Sequence, residues 1–100
     1  MTTTVMVVDL DELCQSVNLP RDVLVEIVEV GIVEPREQRA GHWVFDYQAV
    51  SVVRRAVRLR REFELDWPGI ALALRLLDEV DELRAENRYL RQRLARLLED

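Results

Sequence analysis

Few residues of this sequence have the types and spacing needed for covalent chemistry. Nucleophilic catalysis needs a serine or cysteine activated by a base, but Ser16 and Ser51 lack a plausible relay with the single histidine, His42. Cys14 is the one cysteine, which excludes an internal disulfide, a thiolate metal cluster and a zinc site of the usual type. The three glycines form no phosphate-binding loop. We therefore expect no catalytic residues, no metal and no cofactor, and a protein that is not an enzyme.

Charge is distributed unevenly along the chain. The first fifty residues contain three arginines against nine acidic residues, and the sequence has no lysine. Nonspecific affinity for DNA comes mainly from Lys and Arg side chains that displace counterions, so this half of the chain would repel a phosphate backbone. A basic protein surface would instead be attracted to it.

The segment RDVLVEIVEV carries the best candidate for a binding surface. On a helix, Glu26 and Glu29 share one face with Asp22 one turn earlier, and Val25 flanks them as an exposed apolar contact. The core-facing positions are Leu24, Ile27 and Val28. With Trp43 further along the chain, the predicted partner-binding residues are Asp22, Val25, Glu26, Glu29 and Trp43. The alternative is that any single carboxylate only keeps the outer face of its helix in contact with water and has no role in binding.

Two short helices joined by a tight turn must position this surface. Asp9, followed three residues later by Glu12, predicts the start of a helix LDELCQSV. Asn18-Leu19-Pro20 supplies a turn, and the second helix stops at Gly31 as a left-handed C-terminal cap. This arrangement is typical of a helix-turn-helix.

The following segments predict a small β-hairpin and two further helices. Ile32-Val33 and HWVF indicate two short strands around the polar sequence EPREQRAG, which would form a wing. Asp46 is predicted to cap a third helix, YQAVSVVRRAVRLRREF, and Asp66-Trp67-Pro68 to begin a fourth that runs to Leu98. We expect a winged helix-turn-helix domain over residues 1–65 and a long C-terminal helix, used for dimerisation, over residues 66–100.

The third helix is predicted to have one apolar and one basic side. At about 100° per residue, the inward positions are Ala49, Val52, Val53, Ala56, Leu59 and Phe63. The outward positions are Arg54, Arg55, Arg58 and Arg61, which we interpret as a solvated face. Arg60 falls within the apolar stripe, so we expect it to extend to solvent or pair with a carboxylate. Trp67 is expected to pack where the third and fourth helices meet.

The fourth helix carries a heptad pattern typical of a coiled coil. Its predicted dimerisation residues are Leu76, Val80, Leu83, Asn87, Leu90, Leu94 and Leu97. Asn87 occupies an a position. Its side-chain amide would form hydrogen bonds best with Asn87 of the partner helix, which a parallel dimer places opposite it. Parallel pairing would also bring opposite charges of the two helices together, Glu79 with Arg84 and Glu86 with Arg91. The alternative is a helix that folds back on its own domain.

The order and spacing of three segments resemble the MerR family of regulators. These segments are GIVEPR, GHWVFD and VRLRREFELDWPGI. The resemblance implies a mainly α fold, a MerR-like winged helix-turn-helix with a small β-hairpin wing and a long C-terminal helix. Members of that family usually carry an Arg and a Tyr pair in the recognition helix, whereas this chain has Val25, Glu26 and Ile27, and Trp43 replaces the wing Arg. Because that family pairs its long helices antiparallel, the direction of the predicted dimer stays open.

A tighter resemblance, over nearly the whole chain, is to the small bacterial chaperone modulators of the CbpM family. It rests on EIVEVGIVEPRE, WVFD, RAVRLRREFELDWPGIALAL and ENRYLRQRL. The resemblance implies a protein that binds the J-domain of a DnaJ-like co-chaperone and inhibits its cooperation with Hsp70 by covering the Hsp70-binding surface. The alternative is a MerR-type DNA-binding transcriptional regulator.

The remaining expectations concern location and partners. The sequence has no 18-residue apolar run, and no basic and apolar leader pattern follows Met1, so we expect a protein that is neither membrane-spanning nor secreted and has no membrane partner. With the resemblance to CbpM, this implies the bacterial cytoplasm. We also expect a homodimer and no specific nucleic acid.

Overall fold

A computed structural model describes residues 6–39 and 41–99. Along these residues the chain forms β1 (Val7–Asp9), α1 (Leu10–Val17), α2 (Arg21–Glu29), β2 (Glu37–Arg39), β3 (His42–Asp46), α3 (Gln48–Phe63) and α4 (Trp67–Glu99). The mainly α class, the small sheet and the long last helix agree with the fold that the sequence predicts. No helix among the described residues is both long and apolar enough to cross a membrane.

A reciprocal pair of side-chain hydrogen bonds starts α1. The Glu12 backbone N–H donates to Asp9 Oδ1 at 2.8 Å, and the Asp9 backbone N–H donates to Glu12 Oε1 at 3.2 Å. These bonds satisfy N–H groups that the first helical turn leaves without partners. The predicted cap is therefore confirmed, and Leu10 and Leu13 of α1 are buried.

Gly31 ends α2 by reversing the chain. With φ at +84°, its N–H donates to the Val28 carbonyl at 3.0 Å, and the Ile32 N–H donates to the Ile27 carbonyl at 3.2 Å. This pair of bonds is a Schellman motif, which needs a residue in the left-handed region. Leu24 and Ile27 of α2 are fully buried, as predicted. Helix, turn and helix therefore occur where the sequence places them.

The sheet is larger than predicted, and its first wing strand lies elsewhere. Its order is β1–β3–β2, all antiparallel, with Val8 opposite Phe45 and Gln38 opposite Trp43. The prediction of a strand at Ile32-Val33 is wrong, because the Ile32 N–H closes the helix cap and Val33 is buried in the core. β2 is exposed throughout, so it has no apolar alternation by which to find it. β1 was not predicted at all.

The predicted cap of α3 is also wrong. Asp46 is the last residue of β3, and its carboxylate accepts a hydrogen bond from the Arg36 guanidinium at 2.8 Å. α3 begins at Gln48 with no side-chain cap. Phe63, predicted to face inward, is 62% exposed because it is the last residue of α3 and lies at the open rim of a groove with Leu59 and Ile70. The buried α3 residues are Ala49, Val50, Val53 and Ala56.

α4 starts as predicted and then leaves the core. The Asp66 carboxylate accepts a hydrogen bond from the Gly69 N–H at 2.8 Å, which caps the first turn. Trp67, Ile70 and Leu74 are buried, and every described residue after Leu74 is exposed. At 1.5 Å per residue, the exposed part of the helix is about 37 Å long.

Replacing Gly31 tests the importance of its cap. A Cβ at this position would meet no atom within 4 Å. The cost of Gly31→Ala is therefore only that alanine must adopt the left-handed backbone conformation. We expect the free energy of unfolding, measured by urea denaturation, to fall by about 1 kcal/mol. Gly31→Asn is the matched control and should lose less, because Asn tolerates this region better. Equal stability of the native protein and the Gly31→Ala variant would contradict the assigned role of the cap.

Candidate functional site

The predicted acidic surface lies on the outer side of α2. Asp22, Glu26 and Glu29 are all exposed, and none of them forms an ion pair with another described residue. Their charges are therefore uncompensated by neighbouring cations in direct contact. An unpaired set of carboxylates on one short helix produces a negative field that attracts basic surfaces.

The two apolar candidates, Val25 and Trp43, line one cleft between α2 and the wing. We call it the Val25 cleft; it has a volume of about 340 Å³, and its lining residues are Leu10, Arg21, Val25, Gly41 and Trp43. Trp43 is half-buried, and the Phe45 ring lies edge-on to it at 6.4 Å between centroids. Val25 is half-buried rather than exposed as predicted. The cleft places an aromatic and an aliphatic surface beside the acidic side of α2.

Arg21 is a member of the cleft that sequence reasoning missed. Its guanidinium donates to Asp11 Oδ1 at 3.0 Å, which joins the start of α2 to α1. Both side chains are largely exposed, so we assign little stability to the pair. The two residues are ten apart and lie on different helices, and no local spacing pattern could have found the contact.

The arginines of α3 lie away from the Val25 cleft and differ in their contacts. Arg54 donates to the Ser16 carbonyl at 3.1 Å, and the Arg60 guanidinium lies over the Trp67 ring at 4.4 Å from its centroid. Trp67 is buried at the junction of α3 and α4, as predicted. Arg60 therefore stacks on an aromatic ring, and among the described residues it has no carboxylate partner.

The heptad residues of α4 form an exposed stripe. Its members are Leu76, Val80, Leu83, Asn87, Leu90, Leu94 and Leu97. Leu83 is 62% exposed and Leu97 is 71% exposed. The alternative of a helix that folds back on its own domain is therefore wrong beyond Leu74.

Among the residues that the structure describes, the groups with chemical reactivity do not come together in a site. Burial raises the pKa of the Cys14 thiol, and the nearby Asp11 carboxylate adds to this effect while Arg21 opposes it. A raised pKa keeps the thiol protonated and less nucleophilic. His42 is exposed on β3. Within residues 6–39 and 41–99, no group of three or more His, Cys, Asp or Glu side chains could hold a metal ion.

A helix-turn-helix, an antiparallel wing and a long following helix together define a winged helix-turn-helix protein of the MerR class. Residues 8–92 match the family described as "MerR HTH family regulatory protein". The surface of α2 departs from a DNA-binding member of that class, since Asp22, Glu26 and Glu29 lie on its outward side.

Comparison with curated proteins identifies the particular family within this class. The chain is 47% identical over 98 residues to "Chaperone modulatory protein CbpM" of Pseudomonas putida, covering 98% of this chain and 97% of that protein. It is 49% identical over 98 residues to the protein of the same name from Escherichia coli, with the same coverage. A third relative, from Pseudomonas putida strain GB-1, is 50% identical over 95 residues, which are 95% of this chain and 94% of the relative. The chain belongs to the CbpM family of chaperone modulatory proteins.

Proposed function

We propose that this protein is a chaperone modulator that binds the J-domain of a DnaJ-like co-chaperone and inhibits its cooperation with Hsp70. The observation that carries the proposal is the Val25 cleft beside three exposed, unpaired carboxylates of α2. Membership of a family of chaperone modulatory proteins supports it. The resemblance to CbpM supplies the class of partner, a J-domain.

The acidic residues would act before contact, by steering the partner. Asp22, Glu26 and Glu29 project from one short helix, and the resemblance to CbpM implies a partner whose J-domain has a basic helix that also meets Hsp70. Opposite charges raise the rate of encounter and orient the two surfaces. A protein bound over that basic helix would exclude Hsp70 by occupying the same surface, so the mechanism needs no chemical step.

Val25 and Trp43 would act after contact, as the apolar centre of the interface. Affinity in protein interfaces is concentrated in a few desolvated side chains, among which Trp is overrepresented. A cleft of about 340 Å³ can receive one or two side chains from the partner. Burial of the Trp43 ring would slow dissociation, whereas the carboxylates at the rim would mainly affect association.

The second candidate function is a MerR-type DNA-binding transcriptional regulator. The match of residues 8–92 to a family of regulatory proteins favours it, and the winged helix-turn-helix has the elements that such a protein uses. The acidic surface of α2 opposes it, because the recognition helix would bring carboxylates towards phosphates. We therefore favour the protein partner.

We also propose that the protein is a homodimer in the bacterial cytoplasm. The exposed heptad stripe of α4 supports self-association, because about three heptads of apolar side chains remain in contact with solvent in a single chain. In this proposal residues 1–65 form the winged domain and residues 66–100 the dimerisation helix. Either direction of pairing is compatible with the stripe.

Kinetic measurements on a J-domain test the two parts of the interface separately. The double variant Glu26→Lys, Glu29→Lys should associate roughly tenfold more slowly at low salt and lose much of its salt dependence. Trp43→Ala should mainly raise the dissociation rate, by about thirtyfold for a loss of about 2 kcal/mol. Surface plasmon resonance measures both rates.

A matched control carries the same charge change on α4, away from the heptad stripe. The double variant Asp78→Lys, Glu82→Lys should bind the J-domain at the native rate and with the native salt dependence. If the Glu26 and Glu29 variant also keeps the native rate and salt dependence, the proposed surface is wrong.

A titration with DNA separates the two candidate functions. Because α2 presents Glu26 and Glu29 and lacks an outward arginine at these positions, we expect no sequence-specific binding near physiological salt. Fluorescence anisotropy on duplexes selected from a random pool provides the measurement. Submicromolar, sequence-selective affinity would support the transcriptional regulator instead.

Charged substitutions in the heptad stripe test the proposed dimer. The double variant Leu83→Lys, Leu90→Lys would bury unpaired charges between two helices, at a cost of several kcal/mol. It should sediment as a folded monomer at tens of micromolar, where the native protein sediments as a dimer. Ala85→Lys with Gln92→Lys, at f positions of the same heptads, should remain dimeric. A native protein that is monomeric in this experiment contradicts the coiled coil.

A further inference from the structure

A second cleft lies between α2, the end of α3 and the start of α4. We call it the Arg60 cleft; it has a volume of about 430 Å³, and its lining residues are Leu19, Val23, Val57, Arg60, Arg61, Glu64 and Trp67. Val23 and Val25 are about 200° apart around α2, so the helix separates this cleft from the Val25 cleft. No step of the proposed function uses it.

Arg60 is held in a conformation suited to binding an anion. Its guanidinium lies 4.4 Å from the centroid of the Trp67 ring. Stacking occupies one face of the planar group and leaves the N–H edges available, and these edges match the two oxygens of a carboxylate. Among the described residues, no side chain accepts a hydrogen bond from Arg60 or Arg61. The cleft therefore contains two arginines whose hydrogen-bonding capacity is unused within the described chain.

Trp67 is a buried wall residue of the cleft with a polar atom that lacks a partner in the described part of the chain. The residue is 5% exposed, and its Nε1–H has no hydrogen-bond partner among the described atoms. A buried donor without an acceptor is uncommon and unfavourable. A carbonyl or carboxylate oxygen of a bound group that reaches Nε1 would supply an acceptor that the described residues lack.

The other walls of the cleft determine what kind of group fits. Leu19, Val23 and Val57 form an apolar side, which a small inorganic anion would leave in contact with water. Glu64, at the left-handed C-cap of α3, opposes the two arginines with a single negative charge, so the lining keeps a net positive charge. The cleft thus matches a ligand that has both a carboxylate and apolar side chains.

We propose that the Arg60 cleft binds a peptide segment of a protein partner in which an acidic residue lies between apolar residues. The carboxylate pairs with the stacked Arg60 guanidinium, and the apolar side chains cover Leu19, Val23 and Val57. The protein then has two binding surfaces of opposite charge on different faces, the acidic side of α2 and the Arg60 cleft. This second surface does not depend on the identity of the partner at the first.

Nuclear magnetic resonance on the full chain tests the proposal. The probe is the peptide acetyl-Leu-Asp-Leu-Val-amide, titrated into ¹⁵N-labelled protein carrying Trp43→Phe, so that Trp67 gives the single remaining indole signal. We expect a saturable shift of the Trp67 Nε1–H resonance. Arg60→Gln should weaken binding by roughly ten- to hundredfold, as expected for loss of charge-assisted hydrogen bonds. Glu64→Gln should strengthen it.

Matched controls decide between this site and general charge attraction. Arg58→Gln makes the same charge change on the exposed side of α3 and should alter affinity by less than about twofold. Arg61→Gln provides a second variant of the cleft if Arg60→Gln disturbs the packing of Trp67. The proposal is wrong if the Asp peptide causes no saturable shift, if the corresponding Asn peptide or sodium acetate causes the same shift, or if Arg58→Gln weakens binding as much as the cleft variants.

Discussion

The burial of Leu24 and Ile27 fixes what α2 presents to its surroundings. Both side chains are fully buried in the same core as Leu13 and Phe45, so a helix of nine residues has one rotational setting. That setting places Val25 beside Trp43 and Val23 beside the α3–α4 junction. Two clefts on different faces of the molecule follow from one packing constraint.

The same constraint explains how the outward side chains of a winged helix-turn-helix can change without loss of its fold. The core uses Leu24 and Ile27, whereas the outward positions of α2 do not pack in the core and are free to change. In this chain those positions carry Glu26 and Glu29. The fold therefore identifies the MerR class, and the exposed side chains determine which kind of partner the protein attracts.

Local signals in the sequence predicted the helices well. The caps at Asp9, Gly31 and Asp66 depend on residues within five positions of one another, and all three occur as expected. The wing was harder to place, because β2 is exposed throughout. Asp46 has the right type for a helix cap, but a long-range bond to Arg36 engages its carboxylate instead.

In the candidate site, too, the sequence predicted features that depend on neighbouring residues and missed contacts between separate helices. Helical periodicity identified the acidic side of α2, and the departure from MerR residues drew attention to Trp43. The contribution of Arg21 and the stacking of Arg60 on Trp67 depend on how separate helices cross, which spacing along one helix does not encode. Arg60 is exposed, so the expectation that it reaches solvent is confirmed. The aromatic partner was missed because it follows on the next helix.

Hydrogen–deuterium exchange of the full chain, with and without a saturating J-domain, tests the central claim that the acidic α2 and the wing form the partner-binding surface. The account predicts slower exchange of backbone amides in residues 22–29 and 42–46 when the J-domain is bound, with exchange along the middle of α3 unchanged. Slower exchange confined to the end of α3 and the start of α4, with α2 and the wing unaffected, would contradict it.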